Sequence, residues 1–245
     1  MTPTRVALIP GGARGIGRHI ATALAERGWD VALSYRKSAG DAAATRADIE
    51  KAGRRALAVE CDVSDPAAAS QLVEHVTSTF GRIDALIHSA GPYHRVHLLE
   101  ETPAGWREML ANNLDSLFYC ARAVAPGMIE RRWGRIVGFS MANADRLGAQ
   151  PQLTAHFIAK SGILILLRSL ARILAPHGIT CNAISPGFIA SGSADADELD
   201  KMVKQIPAGY VGETGDAVAA VLYLLSDEAR YVNGTSLLLS GGWGL

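Results

Sequence analysis

The chain has 245 residues, 49% of them hydrophobic, and its 24 basic side chains balance 24 acidic ones. That size and apolar content sustain one large core in a single domain over 1–245, and a formal net charge of zero argues against nucleic acid or an anionic membrane as partner. Three widely spaced cysteines (Cys61, Cys120, Cys181) in apolar runs argue against a disulfide framework and a metal site; with neither a leader-like start nor an apolar run of spanning length, a cytoplasmic protein with a small-molecule partner is expected.

In chain order, short apolar runs predict strands at 6–9, 31–34, 56–60, 85–88, 135–139, 180–184 and 236–239. Segments of helical period predict helices at 15–26, 42–52, 66–80, 103–130, 156–174 and 216–225. Strands without polar alternation, separated by helices, are the mark of a parallel sheet buried on both faces. The expected fold is α/β, a Rossmann-like doubly wound seven-stranded sheet with its crevice at the carboxyl ends of the strands. The Gly-, Ser-, Ala- and Asp-rich segment 189–212, with a helical stretch near 199–204, reads as a mobile flap over that crevice or as an ordinary surface excursion.

The first strand runs into Gly11, Gly12, Ala13, Arg14, Gly15, Ile16 and Gly17, and then into a helix with Ile20, Ala21, Leu24 and Ala25 on its inner face. Glycines allow positive φ and close backbone approach, and a helix N-terminus offers unpaired N–H groups to an anion. A glycine cluster alone fits a generic turn; between a strand and a helix it fits a pyrophosphate better. After the second strand come Tyr35, Arg36 and Lys37, with no carboxylate to bond a free ribose 2′-hydroxyl. Together with Arg14 these cations suit a 2′-phosphate, so NADP(H) is expected over NAD(H); the bland alternative is a solvated approach to the next helix.

These residues resemble the short-chain dehydrogenase/reductase family, particularly its 3-oxoacyl-acyl-carrier-protein reductase branch, over essentially the whole chain. The Gly11-x-x-x-Gly15-Ile16-Gly17 turn resembles the cofactor motif, and Asp62 with Val63 resembles the segment that touches adenine. His88-Ser89-Ala90-Gly91 falls where the family has Asn-Asn-Ala-Gly. Asn113 matches the active-site Asn, and Lys160-Ser161-Gly162 the catalytic helix. The resemblance implies that Lys160 bonds the nicotinamide ribose and that Pro186, Gly187 and Ile189 flank the carboxamide. It also implies a homotetramer or homodimer. Leu164, Ile165, Leu167 and Leu170 on the second long helix supply apolar surface for assembly, or are simply core.

The departures fall on the chemistry. The family's catalytic Tyr position holds His156 and its Ser position Met141, with Ser140 one residue early; Pro10 precedes the first glycine in place of Thr. Carbonyl reduction needs a proton delivered to oxygen as well as a hydride to carbon. Lys160 disfavours an imidazolium at His156, which is therefore expected to be neutral. Tyr93 is the first candidate for a relocated hydroxyl, followed by Ser140, His94 and His97; each also reads as an ordinary loop or surface residue. Met141 gives an apolar pocket suited to a conjugated or ring substrate. Two functions compete: an NADPH-dependent oxidoreductase acting on a small or acyl-carrier-linked substrate, and an NADP(H)-binding pseudoenzyme with a sensing or scaffold role. Motifs of zinc or serine hydrolases are missing from the sequence.

Overall fold

A computed structural model of the chain describes residues 3–146, 148–191 and 201–245. Among them a seven-stranded sheet has the order β3-β2-β1-β4-β5-β6-β9, every neighbouring pair parallel. Its strands are β1 (Val6–Pro10), β2 (Asp30–Tyr35), β3 (Ala56–Glu60), β4 (Ala85–His88), β5 (Gly134–Phe139), β6 (Ile179–Pro186) and β9 (Ser236–Leu239). The seven expected strands are all present, with ends shifted by at most two residues. Two-residue strands β7 (Ile189–Ala190) and β8 (Gly212–Glu213), which the sequence did not foretell, pair in parallel and tie together the two ends of the expected flap. Residues 192–200 of that segment lie outside the described residues.

Alternation along the buried strands divides the core in two. Val6 and Leu8 of β1, Leu86 of β4 and Ile136 of β5 point to the face covered by α3 (Pro66–Phe80), α5 (Ser116–Arg131) and α6 (Thr154–Leu174). Ala7, Ile9, Ala85, Ile87 and Val137 point to the face covered by α1 (Gly15–Glu26), α2 (Ala39–Lys51) and α7 (Thr214–Leu225). α1 buries Ile20, Ala21, Leu24 and Ala25, as its periodicity requires. α3 starts on Asp65, whose carboxylate accepts from the Ala67 and Ala68 amides, and stops at Gly81 in the left-handed region, φ 81°.

Two expectations need correction. The helix over 103–130 is not continuous: α4 (Pro103–Leu110) passes through a π-helical turn at Ala111–Asp115 before α5 begins. Side chains compete with the backbone ladder there. Asn113 Nδ2 donates to the Met109 carbonyl at 3.0 Å, and Ser116 Oγ to the Asn112 carbonyl at 2.8 Å. On α6, Leu164 and Leu167 are core residues, 4% and 1% exposed, whereas Ile165 is 66% exposed. Of the four residues named from the sequence only Ile165 is exposed, and with Ile158 and Ile173 it forms the outward apolar face of α6, while Leu164 and Leu167 follow the core alternative.

Candidate active site

The sheet order reverses between β1 and β4, the point at which a doubly wound sheet binds its ligand, outside the carboxyl ends of the strands. Gly11 has φ +78°, and a Cβ on it would stand 2.7 Å from the Ala90 amide nitrogen. The glycine turn therefore lies directly against the Ser89-Ala90-Gly91 loop, and the Ser89 amide donates to the Pro10 carbonyl at 3.0 Å. A Cβ on Gly17 would press into the Gly11 carbonyl oxygen, so α1 also has to begin on a glycine face. Thr45 of α2 pins the turn from behind through a hydroxyl bond to the Ala13 carbonyl at 3.0 Å.

The turn fits a dinucleotide on direct observation. The N-terminus of α1 carries no side-chain cap and no acid in its first turn, and nothing lies within 4 Å of where a Gly15 Cβ would stand. A pyrophosphate fits that open, electropositive face. Arg14 is exposed beside it, and Ile16 is half-buried against the α1 core.

Tyr35 ends β2 half-buried, its carbonyl accepting from Cys61, and exposed Arg36 and Lys37 follow. Arg36 reaches across the cleft mouth. It bonds Asn112 Oδ1 at 3.2 Å and lies 3.7 Å from Asp62 and 3.6 Å from Glu108. Burial is the largest single influence on the Asp62 carboxyl and raises its pKa, but the bonds it accepts from the Ser64 hydroxyl and amide, together with Arg36, outweigh it and hold the carboxyl below the usual range. Val63 is buried next to it.

Lys160 is buried on α6, and its Nζ donates to the Phe139 carbonyl at 2.8 Å. Burial lowers its pKa to about 8, so the ammonium is retained at neutral pH and two of its three donors remain for a ligand. His156, one turn earlier and 6% exposed, has its pKa lowered to about 4, first by burial, then by Lys160 and His94. It is neutral, as the sequence reading required. Tyr93 stands edge-on to it, ring centroids 5.2 Å apart. Backbone bonds from Val96 to Gln152 and from Leu98 to Pro151 zip the loops after β4 and β5 together near this pair.

The other named residues divide. Asn113 is fully buried; its Nδ2 also donates to the Pro92 carbonyl, and its Oδ1 has no partner. Ser140 is turned away from the cleft, its hydroxyl committed to the Lys160 carbonyl at 2.7 Å. Met141 is half-buried and packs on the core over the α5–α6 face. His97 is held in its own loop by the Leu99 amide. Pro186 and Gly187 close β6, with the Gly187 amide on the Leu239 carbonyl, and Ile189 begins β7.

Four residues were not among the site residues named from the sequence. Glu101, nearly buried, accepts from the Thr102 amide and pairs with His94 Nε2 at 2.8 Å; seven residues apart in an irregular loop, they leave no periodic signal. Glu108 and Asn112 meet Arg36 only because α4 folds over the cleft. His88 did carry a signal, as a departure from the Asn that the resemblance places there. Its Nε2 bonds Ser116 Oγ at 2.9 Å, and since that hydroxyl already donates to Asn112, His88 is the donor.

The model of the enoyl-(acyl carrier protein) reductase family matches residues 11–244. The 3-oxoacyl-[acyl-carrier-protein] reductase FabG of Staphylococcus aureus is 36% identical over 246 residues, 99% of each chain. Among solved structures, a putative short-chain alcohol dehydrogenase from Sinorhizobium meliloti superposes with a TM-score of 0.91 at 33% identity, over 98% of this chain and 96% of that one. A short-chain dehydrogenase/reductase from Serratia marcescens reaches 0.93 at 31% identity and 99% coverage of both. On matches that span essentially its whole length, this chain belongs to the short-chain dehydrogenase/reductase family of nicotinamide-dependent oxidoreductases.

Proposed function

We propose that the protein is an NADP(H)-dependent oxidoreductase that exchanges a hydride with a carbonyl or conjugated substrate, small or carried on an acyl carrier. The observation that carries this reading is the uncapped α1 N-terminus facing the crevice, with Arg14, Arg36 and Lys37 at the end where the adenosine ribose would lie. A 2′-phosphate matches those cations, whereas a free ribose hydroxyl needs an acceptor.

Arg14 and the backbone amides of Gly15, Ile16 and Gly17 would hold the pyrophosphate, and Asp62 and Val63 the adenine. Lys160 would donate to the nicotinamide ribose, while Pro186, Gly187 and Ile189 would flank the carboxamide. The nucleotide supplies or accepts the hydride. The protein's part is to orient the substrate and handle the proton. Ser140 has spent its hydroxyl and His156 is neutral, so Tyr93 is the proton donor to the substrate oxygen in this reading. Its phenol, 62% exposed, exchanges its proton with solvent.

Calorimetry with NADPH and NADH, followed by NADPH-oxidation assays over ketones, enones, quinones and pterins, tests the reading. Tighter NADPH binding and turnover of one class are expected. NADPH binding with silence across the panel would favour the second reading, a nucleotide-sensing pseudoenzyme, for which the occupied Ser140 hydroxyl speaks. No binding at all would end both.

A further inference from the structure

Arg36 does not stand free at the end of β2. Its Nη1 donates to Asn112 Oδ1 at 3.2 Å and lies 3.7 Å from the Asp62 carboxylate, while its Nη2 lies 3.6 Å from the carboxylate of Glu108. Glu108 and Asn112 stand one turn apart where α4 runs into the π-helical turn, and both are fixed in place. The Thr102 hydroxyl caps α4 by accepting from the Gly105 amide at 2.9 Å, which sets where the helix starts. Asn112 Nδ2 donates to the Glu108 carbonyl at 3.0 Å, which leaves Oδ1 as the end that meets the guanidinium. Asp62 is also engaged by the Ser64 amide and hydroxyl. The Glu108 carboxylate has no such second partner, and among the described residues Arg36 is the only cation within 4.0 Å of it.

We propose that Glu108 is a specificity-determining residue for the nucleotide, a competitor that holds Arg36 against a ribose 2′-phosphate and so narrows the preference for NADPH over NADH. This rests on the reading above in which Arg36 meets that phosphate. A phosphate arriving at the end of β2 has to draw Arg36 off the Glu108 carboxylate, whereas a nucleotide with a free 2′-hydroxyl leaves the pair as it is. The side chains of Arg36 and Glu108 are 41% and 47% exposed, so the pair opens without disturbing the core. Its strength is that of a surface ion pair, weakened by salt, and the competition is correspondingly modest.

Calorimetry with NADPH and NADH on the full chain tests this without any turnover, in the parent protein, Glu108→Gln, Arg36→Ala and the double variant. Glu108→Gln keeps the size and polarity of the side chain and removes its charge. At low salt it is expected to tighten NADPH by about threefold, the worth of one exposed ion pair, and to leave NADH within about 1.5-fold. The gain should shrink as salt is raised. In the Arg36→Ala background the same substitution should bring no more than about half of that gain, because its effect runs through Arg36. A larger gain there would mean plain repulsion between carboxylate and phosphate and would overturn the proposal. So would an unchanged NADPH affinity in Glu108→Gln, or an equal gain for both nucleotides. If Arg36→Ala lowers the ratio of NADPH to NADH affinity while Glu108→Gln leaves it alone, the proposal fails by itself. If Arg36→Ala leaves that ratio as in the parent, the placing of the 2′-phosphate on Arg36 fails, and the proposal with it.

Discussion

The Tyr93 and His156 rings meet edge to face, centroids 5.2 Å apart and planes at 89°, so the loop after β4 delivers a phenol beside His156 of α6. Tyr93→Phe keeps this packing and removes the hydroxyl. If Tyr93 is the proton donor, kcat should drop by about 10² to 10⁴, the usual loss for a positioned acid. NADPH affinity, measured by calorimetry, should stay within about twofold. Unchanged turnover would remove Tyr93 from the chemistry.

Arg36 is held by Asn112, Asp62 and Glu108 across the cleft mouth, and a ribose phosphate would compete with these acceptors for it. Arg36→Ala should weaken NADPH binding by about 10- to 100-fold, the worth of a charge-assisted hydrogen bond. NADH affinity should change little. Equal losses for the two nucleotides would show that Arg36 serves the fold rather than the phosphate.

Gly11 is constrained twice, by its positive φ of +78° and by the Ala90 backbone, 2.7 Å from where a Cβ would stand. Gly11→Ala must push the turn off the β4 loop. A loss of about 2 kcal/mol or more in denaturant unfolding is expected, with NADPH binding abolished. Near-normal binding would mean that the close approach is dispensable.

Stability should fall on acidification. The pKa of His88 is lowered to about 3 by burial and then by Lys160, and that of His156 to about 4 by burial, Lys160 and His94. An unfolded chain protonates both near pH 6.5, while the folded protein resists until pH 4 or below. The neutral-ring fold is therefore fully stable above about pH 6.5 and loses stability as pH falls towards 4, by on the order of 3–5 kcal/mol for the more deeply buried His88. Lys160 works the same way at higher pH, its burial penalty easing as pH rises above about 8. His88→Asn should flatten the acid limb in thermal melts; an unchanged limb would place the titration elsewhere.

Ile158, Ile165 and Ile173 lie exposed along α6, a face well suited to a second copy of the chain. Sedimentation should show a dimer or tetramer, and Ile165→Asp should shift it towards monomer. A monomeric parent protein would dismiss assembly through this face.

The repeating apolar runs, read with the glycine turn, were sufficient to foretell the seven sheet strands, the strand-turn-helix start of the chain and, apart from the break at Ala111–Asp115, the helices between the strands. These rest on local rules: strands buried on two faces have little choice but to be apolar throughout, and a phosphate turn needs its glycines at fixed spacing. The placing of His156 one helical turn before Lys160 was legible for the same reason, from their spacing on one predicted helix. What only the tertiary structure decided were relations between distant segments. The π-helical turn arises because Asn113 and Ser116 find carbonyl partners in their own helix, with His88 of β4 and Pro92 of the loop after it meeting them. Leu164 and Leu167 became core, and Ile165 surface, by the rotation of α6 on the sheet. The Glu101–His94 pair, the span of Arg36 and the unpartnered Nδ1 of His156 depend on which loops come to lie side by side. Burial and hydrogen-bond partnership there belong to pairs of residues far apart in the chain, so no single stretch of sequence encodes them.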